Sequence, residues 1–384
     1  MGQRKAVTRK LLARYKKAGK KEKRQILNEF VAVTDYNRHY AAWRLRQSWI
    51  TKLKRKKRIK VFRPRVYDVE VFRELKRIWL IWDCICSKRL VPFLPEAVKK
   101  MEQFGGTKYK PELKEKLLSI SPATVDRMLV SVKKGYRIKG ISTTKPGTLL
   151  KQQIPVRTFT DWDDLRPGFF EIDLVAHCGE TLSGEYINSL NFTDVSSGWV
   201  EPAAVMGKAQ ERVFAEIEKI KKNLPFPLLG IDSDNDSPFI NNELFRYCLK
   251  EQITFTRCRA GKKNDQAYVE QKNYSVIRRL VGYARYDKEK QLIIIKELYQ
   301  TVRLYINFFH PVMKLIKKQR IGAKVKKWYD KAQTPCQRIL IDKTISQLKK
   351  QRLKKQYQQL NPIELKRKID QQLQKLENTL KVEN

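Results

Sequence analysis

The chain has 384 residues, with 82 Lys and Arg against 40 Asp and Glu and a formal net charge of +42. At about 100–200 residues per domain this length gives two or three domains. Six cysteines without a Cys-x-x-Cys pair, and only His39, His177 and His310 beside them, exclude a zinc site of familiar spacing. No apolar run nears the ~20 residues of a membrane span, and no apolar core follows the basic N-terminus, so a cytoplasmic protein with reduced thiols is expected.

The charge is unevenly spread. Residues 1–65 carry +20, residues 66–160 carry +10 and residues 301–384 carry +15, while residues 161–300 carry −3. A near-neutral middle between basic arms suits an enzyme that works on a polyanion and grips it from both sides. A ribosomal or RNA-binding protein would share the charge but not the carboxylates described below.

Residues 22–45 read as a helix-turn-helix. Ile26, Leu27, Phe30 and Val31 recur at helical spacing, Val33-Thr34-Asp35 makes the turn with Thr34 as cap, and Ala41, Ala42 and Leu45 continue a second helix. Arg38 and Arg44 fall on its exposed side and are expected to contact DNA. The run Lys52–Lys60 reads as an arm along the phosphate backbone. A second helix is expected within 111–134, with Ser121 as N-cap, Pro122 in its first turn and Val125, Met128, Leu129 and Val132 as its buried stripe. Arg127 is left outward as a further DNA contact. Cys84 and Cys86 fall in an apolar stretch and read as buried packing.

The middle segment alternates strand and helix signals. Strands are expected at Phe169–His177, Glu185–Val195 and Gly198–Val205, joined by hairpins, with a helix over Ala209–Leu224. Strand Leu228–Asp234, helix Phe239–Glu251, strand Ile253–Cys258 and helix Gln266–Val281 follow, which makes a mixed sheet flanked by helices. Beyond a helix at Leu292–Phe309, two helices broken at Asn361-Pro362 are expected in the basic tail. Leu365, Ile369, Leu373, Leu376 and Leu380 give the last of them an apolar face for self-association or docking.

Three carboxylates stand out in this segment. Asp173 follows an apolar strand, Asp234 closes Pro-Leu-Leu-Gly-Ile-Asp-Ser-Asp, and Glu270 lies in a helix; sixty residues separate the first two and thirty-five the last two. Such hard oxygen donors suit magnesium or manganese, and a pair of these ions serves phosphodiester chemistry. Asp232 competes with Asp234, because residues two apart on a strand share a face. Asp234 is preferred because it ends the strand and precedes a turn. Asn264 or Asp265 is expected to cap the Glu270 helix, with Gln266, Asn273 and Tyr274 on the same face. Lys262, Lys263 and Lys272 are near enough to hold DNA phosphates.

Four motifs carry a resemblance: Glu-Ile-Asp-Leu-Val, Asp-Val-Ser-Ser-Gly-Trp-Val, Ile-Asp-Ser-Asp-Asn-Asp-Ser-Pro-Phe-Ile-Asn and Lys-Lys-Asn-Asp-Gln-Ala-Tyr-Val-Glu-Gln-Lys-Asn. Across about residues 165–310 the chain resembles the RNase H-like catalytic core of DDE transposases and retroviral-type integrases, and the upstream Thr-Thr-Lys-Pro-Gly-Thr-Leu-Leu-Lys segment and the early helix-turn-helix resemble bacterial insertion-sequence transposases. With the organisation read along the chain, this gives a multidomain protein: a basic helix-turn-helix region at 1–65, a second helical DNA-binding domain at 66–140, a linker at 141–165, the RNase H-like core at 166–310 and a basic helical region at 311–384. The resemblance implies Asp173, Asp234 and Glu270 as catalytic residues holding two magnesium or manganese ions, with no nucleotide cofactor. The implied activity is cleavage at transposon ends and strand transfer into target DNA by a multimer, within a bacterial cytoplasm. The alternative is a decayed or regulatory DNA-binding protein derived from a transposase. Two residues depart from the family pattern, Asp236 where Gly is usual and Pro238 where Glu is frequent, and both predict reduced activity.

Overall fold

A computed structural model of the chain describes residues 2–53, 66–133, 156–157, 166–233, 239, 242–258, 266–322 and 324–381. It divides into two compact units, Met1–Arg65 and Val66–Asn384.

The first unit holds helices α1 (Gly2–Lys17), α2 (Lys20–Thr34) and α3 (Arg38–Leu53). Ile26, Phe30 and Thr34 recur every fourth residue of α2 and are buried, and Phe30 packs with Ala41 and Leu45 of α3. Helix α2 ends where Asp35 turns to φ 56° and returns its N–H to Val31 O, a left-handed conformation that Asp tolerates better than most residues. The expected cap is corrected here. Thr34 Oγ1 donates back to Phe30 O, and the next helix is opened by Asn37, whose Oδ1 accepts from His39 N at 2.9 Å.

The second unit begins with helices α4 (Val69–Ile81), α5 (Ser87–Phe104), α6 (Pro111–Ser119), α7 (Pro122–Met128) and α8 (Val130–Lys133). Asp68 caps α4 by accepting from Val71 N, and Ser121 caps α7 by accepting from Thr124 N. Val125 and Leu129 of the expected stripe are fully buried, with Met128 and Val132 partly so. These helices are not a free-standing domain. Leu75, Ile78 and Trp82 belong to one continuous apolar core with Phe170, Phe192 and Tyr299. Cys86 is exposed at the start of α5 and Cys84 half-buried, so the expectation of buried packing fails for Cys86.

A six-stranded mixed sheet follows, with strands β1 (Val156–Arg157), β2 (Phe169–Ala176), β3 (Ile187–Asp194), β4 (Val200–Met206), β5 (Gly230–Ser233) and β6 (Thr254–Cys258) in the order β1-β6-β5-β2-β3-β4. The hairpins β2–β3 and β3–β4 are antiparallel, while β5 pairs β2 and β6 pairs β5 in parallel. Helices α9 (Gln210–Asn223) and α10 (Asn242–Lys250) are the crossovers between the later strands. Beyond the short helices α11 (Ala267–Lys272) and α12 (Arg279–Val281), helix α13 (Glu289–Phe309) closes the β4 edge. There Asn307 accepts from Val200 N at 2.8 Å and donates to Val200 O at 2.7 Å, which satisfies backbone groups that an edge strand leaves open.

The tail departs from the expected all-helical region. Leu315–Ile321 (β7) and Lys324–Tyr329 (β8) form an antiparallel hairpin, turning at Gly322 with φ 59°, a conformation glycine adopts without strain. Helices α14 (Pro335–Ile341), α15 (Gln347–Gln359) and α16 (Pro362–Lys381) complete the chain, with the break at Asn361-Pro362 as expected. The apolar face of α16 lies on α13 of the same chain, with Leu365, Ile369 and Leu376 buried. That face is therefore used within the fold and is not left over for self-association. No described helix is long and apolar enough to cross a membrane.

Candidate functional site

The site is built on β2, at the middle of the sheet. Strand geometry puts Glu171 and Asp173 on one face. The register sets Asp173 opposite Asn191 of β3, and Glu171 between Thr193 of β3 and Asp232 of β5.

Helix α11 (Ala267–Lys272) crosses this face and carries Glu270. Its first turn is held by Glu171, whose Oε2 accepts from the N–H groups of Tyr268 and Val269 at 2.8 Å each. A helix start leaves such donors without intrahelical partners, and a carboxylate there also complements the helix dipole. Asn264 and Asp265, the caps expected from sequence, lie outside the described residues. Burial, with Asp232 and Glu270 adding repulsion, pushes the Glu171 carboxyl up to about 8 even though the two N–H bonds favour its ionised form.

Asn273 sits one turn beyond Glu270 and binds Asp173, its Nδ2 donating to Asp173 Oδ2 at 2.5 Å. Asn191 in turn donates to Asn273 Oδ1 at 2.8 Å, so a relay from β3 orients the amide. The other Asp173 oxygen accepts from Leu174 N at 2.8 Å. Asn273 also opens a π-helical segment, Asn273–Arg278, an irregularity frequent at functional sites. Arg278 anchors the far end of that segment by donating to Ala176 O at 2.8 Å. Of the three residues expected on the Glu270 face, two reach the sheet and the third does not. Gln266 and Asn273 meet Asp232 and Asp173, while Tyr274 is exposed.

Asp232 is buried and already engaged. Thr256 Oγ1 donates to its Oδ1 at 2.6 Å, and Gln266 Nε2 reaches its backbone O at 3.1 Å and its Oδ2 at 3.4 Å. Asp173 is half-buried and Glu270 exposed. Asp234, Asp236, Pro238, Lys262 and Lys263 lie outside the described residues. Among the described residues no group of three or more His, Cys, Asp or Glu is gathered closely enough to hold a metal ion.

The expected DNA contacts fare differently. Arg38 is exposed at the start of α3 and donates to Asn28 Oδ1. Arg44 is half-buried, and Arg127 is exposed with a 3.0 Å bond to Thr124 Oγ1. Lys272 is a correction: it is buried, and burial with Arg89 adding repulsion lowers its ammonium to about 7. It is part of the interior and does not present a surface charge to phosphate. Glu171, Asn191 and Thr256 were missed in the sequence. The alternation Glu171-Ile172-Asp173 was a signal for the first; the other two depend on strand register.

Comparison with known proteins adds a relative. The chain is 38% identical over 340 residues, 85% of its own length and 92% of the relative's, to the uncharacterized protein y4rM of Sinorhizobium fredii (strain NBRC 101917 / NGR234). The chain belongs to the family of that protein. No family model matches it. Among solved structures, the catalytic core domain of BIV integrase overlaps 44% of this chain and 91% of its own, with a TM-score of 0.30 and 16% identity. The HTLV-2 integrase catalytic core domain, solved with magnesium, overlaps 38% and 90%, with a TM-score of 0.29 and 16% identity.

Proposed function

We infer that the chain is a metal-dependent polynucleotidyl transferase acting on DNA, specifically a transposase that cuts transposon ends and transfers the freed strand to target DNA. The observation that carries this reading is the clamping of α11 over β2 by Glu171 and Asn273, which brings the Glu270 helix onto the strand of Asp173. Asp234 follows directly on Ser233, whose register partner is Ile172, the neighbour of Asp173. Asp232 is buried whereas Asp173 is half-buried, which supports giving the second ligand position to Asp234.

Asp173, Asp234 and Glu270 would hold magnesium or manganese, two ions being expected. The donor set fits, since Asp173, Asp234 and Glu270 are all hard oxygen donors. When bound, such ions supply activation of an attacking oxygen and stabilisation of a leaving one. The protein's own part is positional. Asn273, oriented by Asn191, holds Asp173 in one rotamer, and Glu171 fixes where the helix of Glu270 begins. Arg38, Arg44 and Arg127, with Lys262 and Lys263, are proposed to grip DNA. Because two ends are joined, a multimer on DNA is proposed as well.

The test uses full-length protein, magnesium or manganese, and duplexes carrying the terminal repeats that flank its gene. Nicking at the repeat end and joining to a target duplex are expected. Asp173→Asn, Asp234→Asn and Glu270→Gln should each abolish both while DNA binding persists. Wild-type cleavage rates in Asp234→Asn would move the second ligand to Asp232. Specific binding without any cutting by wild-type protein would favour a regulatory DNA-binding protein instead.

A further inference from the structure

The β7–β8 hairpin stands apart from the chemistry described so far. Between residues 315 and 329 it carries Lys317, Lys318, Arg320, Lys324, Lys326 and Lys327 and no acidic residue. All six side chains are exposed. None of them makes an ion pair with a described acidic residue.

The register sharpens the point. Lys318 lies directly opposite Lys327, and Lys317 opposite Trp328. Like charges set across a strand pair destabilise it, so this ribbon concentrates charge at its own expense. Alternation distributes the cations on both faces, with Lys317, Lys324 and Lys326 on one and Lys318, Arg320 and Lys327 on the other. Lys317 and Lys326 also lie over the Trp328 ring, 5.7 and 4.9 Å from its centre, which steadies two of the ammonium groups.

The ribbon is rooted at its base. Asp330 returns its N–H to Lys314 O at 2.9 Å and accepts from Lys314 N at 2.6 Å. Lys314 Nζ donates to Val195 O at 2.6 Å, at the end of β3, and Arg338 pairs with Asp330 at 2.7 Å. It is thus a basic arm on a fixed footing.

We propose that this ribbon is a duplex-DNA contact that enters a groove and meets phosphates on both walls. This rests on the polynucleotidyl transferase reading and adds a contact element to it. A two-stranded ribbon has the dimensions of the major groove. Charge on both faces fits a groove with two phosphate walls; a flat anionic surface would meet one face only.

The experiment measures affinity of full-length protein for a labelled duplex across a salt series, beside Lys318→Gln/Arg320→Gln/Lys327→Gln. Each phosphate contact contributes about 0.9 to the log–log salt slope, so the triple variant should be shallower by about 2–3. Lys318→Arg/Lys327→Arg should keep the wild-type slope. The melting temperature should not fall, since the substitutions relieve the Lys318–Lys327 repulsion; if the triple variant nevertheless melts early, Lys318→Gln alone should lower the slope by about 0.9. Equal slopes for wild-type and variant protein overturn the ribbon's role and leave the enzyme reading standing. Failure of the wild-type chain to bind any duplex overturns both. Loss of binding to phosphatidylserine vesicles with unchanged DNA binding makes the ribbon a membrane arm and overturns the proposal.

Discussion

Glu171 Oε2 accepts the backbone N–H of Val269 at 2.8 Å, so a carboxyl group of the central strand holds the helix that carries Glu270. Its bond to Tyr268 N is as short. One side chain thereby satisfies two donors at a buried helix start and sets the height of that helix above Asp173.

Glu171→Ala should leave both donors unpaired in a dry site, at a cost of about 1–3 kcal/mol. Glu171→Gln keeps an acceptor and should retain most of the stability and the cleavage activity. Urea denaturation compares the two, and an alanine variant as stable as wild type would remove this carboxyl from its positioning role.

Asn273→Ala should lower metal-dependent cleavage by about 10–100-fold, the usual effect of losing a group that orients a metal ligand. A magnesium titration should show a higher half-saturating concentration with DNA affinity unchanged. An unaltered titration would mean that Asp173 is held well enough by Leu174 N and the strand itself.

His177 gives a pH dependence. It is fully buried, its Nε2 lies 2.6 Å from Ser189 Oγ, and burial with Arg278 adding repulsion pushes it down to about 3 from 6.5. The unfolded chain therefore binds a proton that the folded chain refuses between those values. Stability from this group is present above pH 6.5 and is lost as pH falls toward 3, by about 1.4 kcal/mol per pH unit. His177→Gln should be less stable at pH 7 yet lose less between pH ~7 and ~4.5, read from melting temperatures.

Asp236→Gly with Pro238→Glu should raise metal-dependent joining with little effect on end binding. Asp236 adds negative charge two residues from Asp234, and on the proposed reading that charge would oppose DNA phosphate beside the metal ligands. Equal joining rates would make both departures neutral.

Hydropathy and turn signals alone identified the order of strands and helices from Phe169 to Phe309, because each element's buried face repeats at its own period. They also marked the helix face of Gln266, Glu270 and Asn273. A local pattern has no information about what a face is pressed against. Only the tertiary structure decided that Glu171 caps α11 across 97 residues of chain and that Asn191 orients Asn273 across 82. The same holds for Lys272, whose charge suggested the surface and whose neighbours bury it. The leucines of α16 had an apolar face by spacing; that α13 would take it up depended on a long-range fit. The region at 311–384 read as basic and helical, and cross-strand pairing made its 315–329 stretch a ribbon.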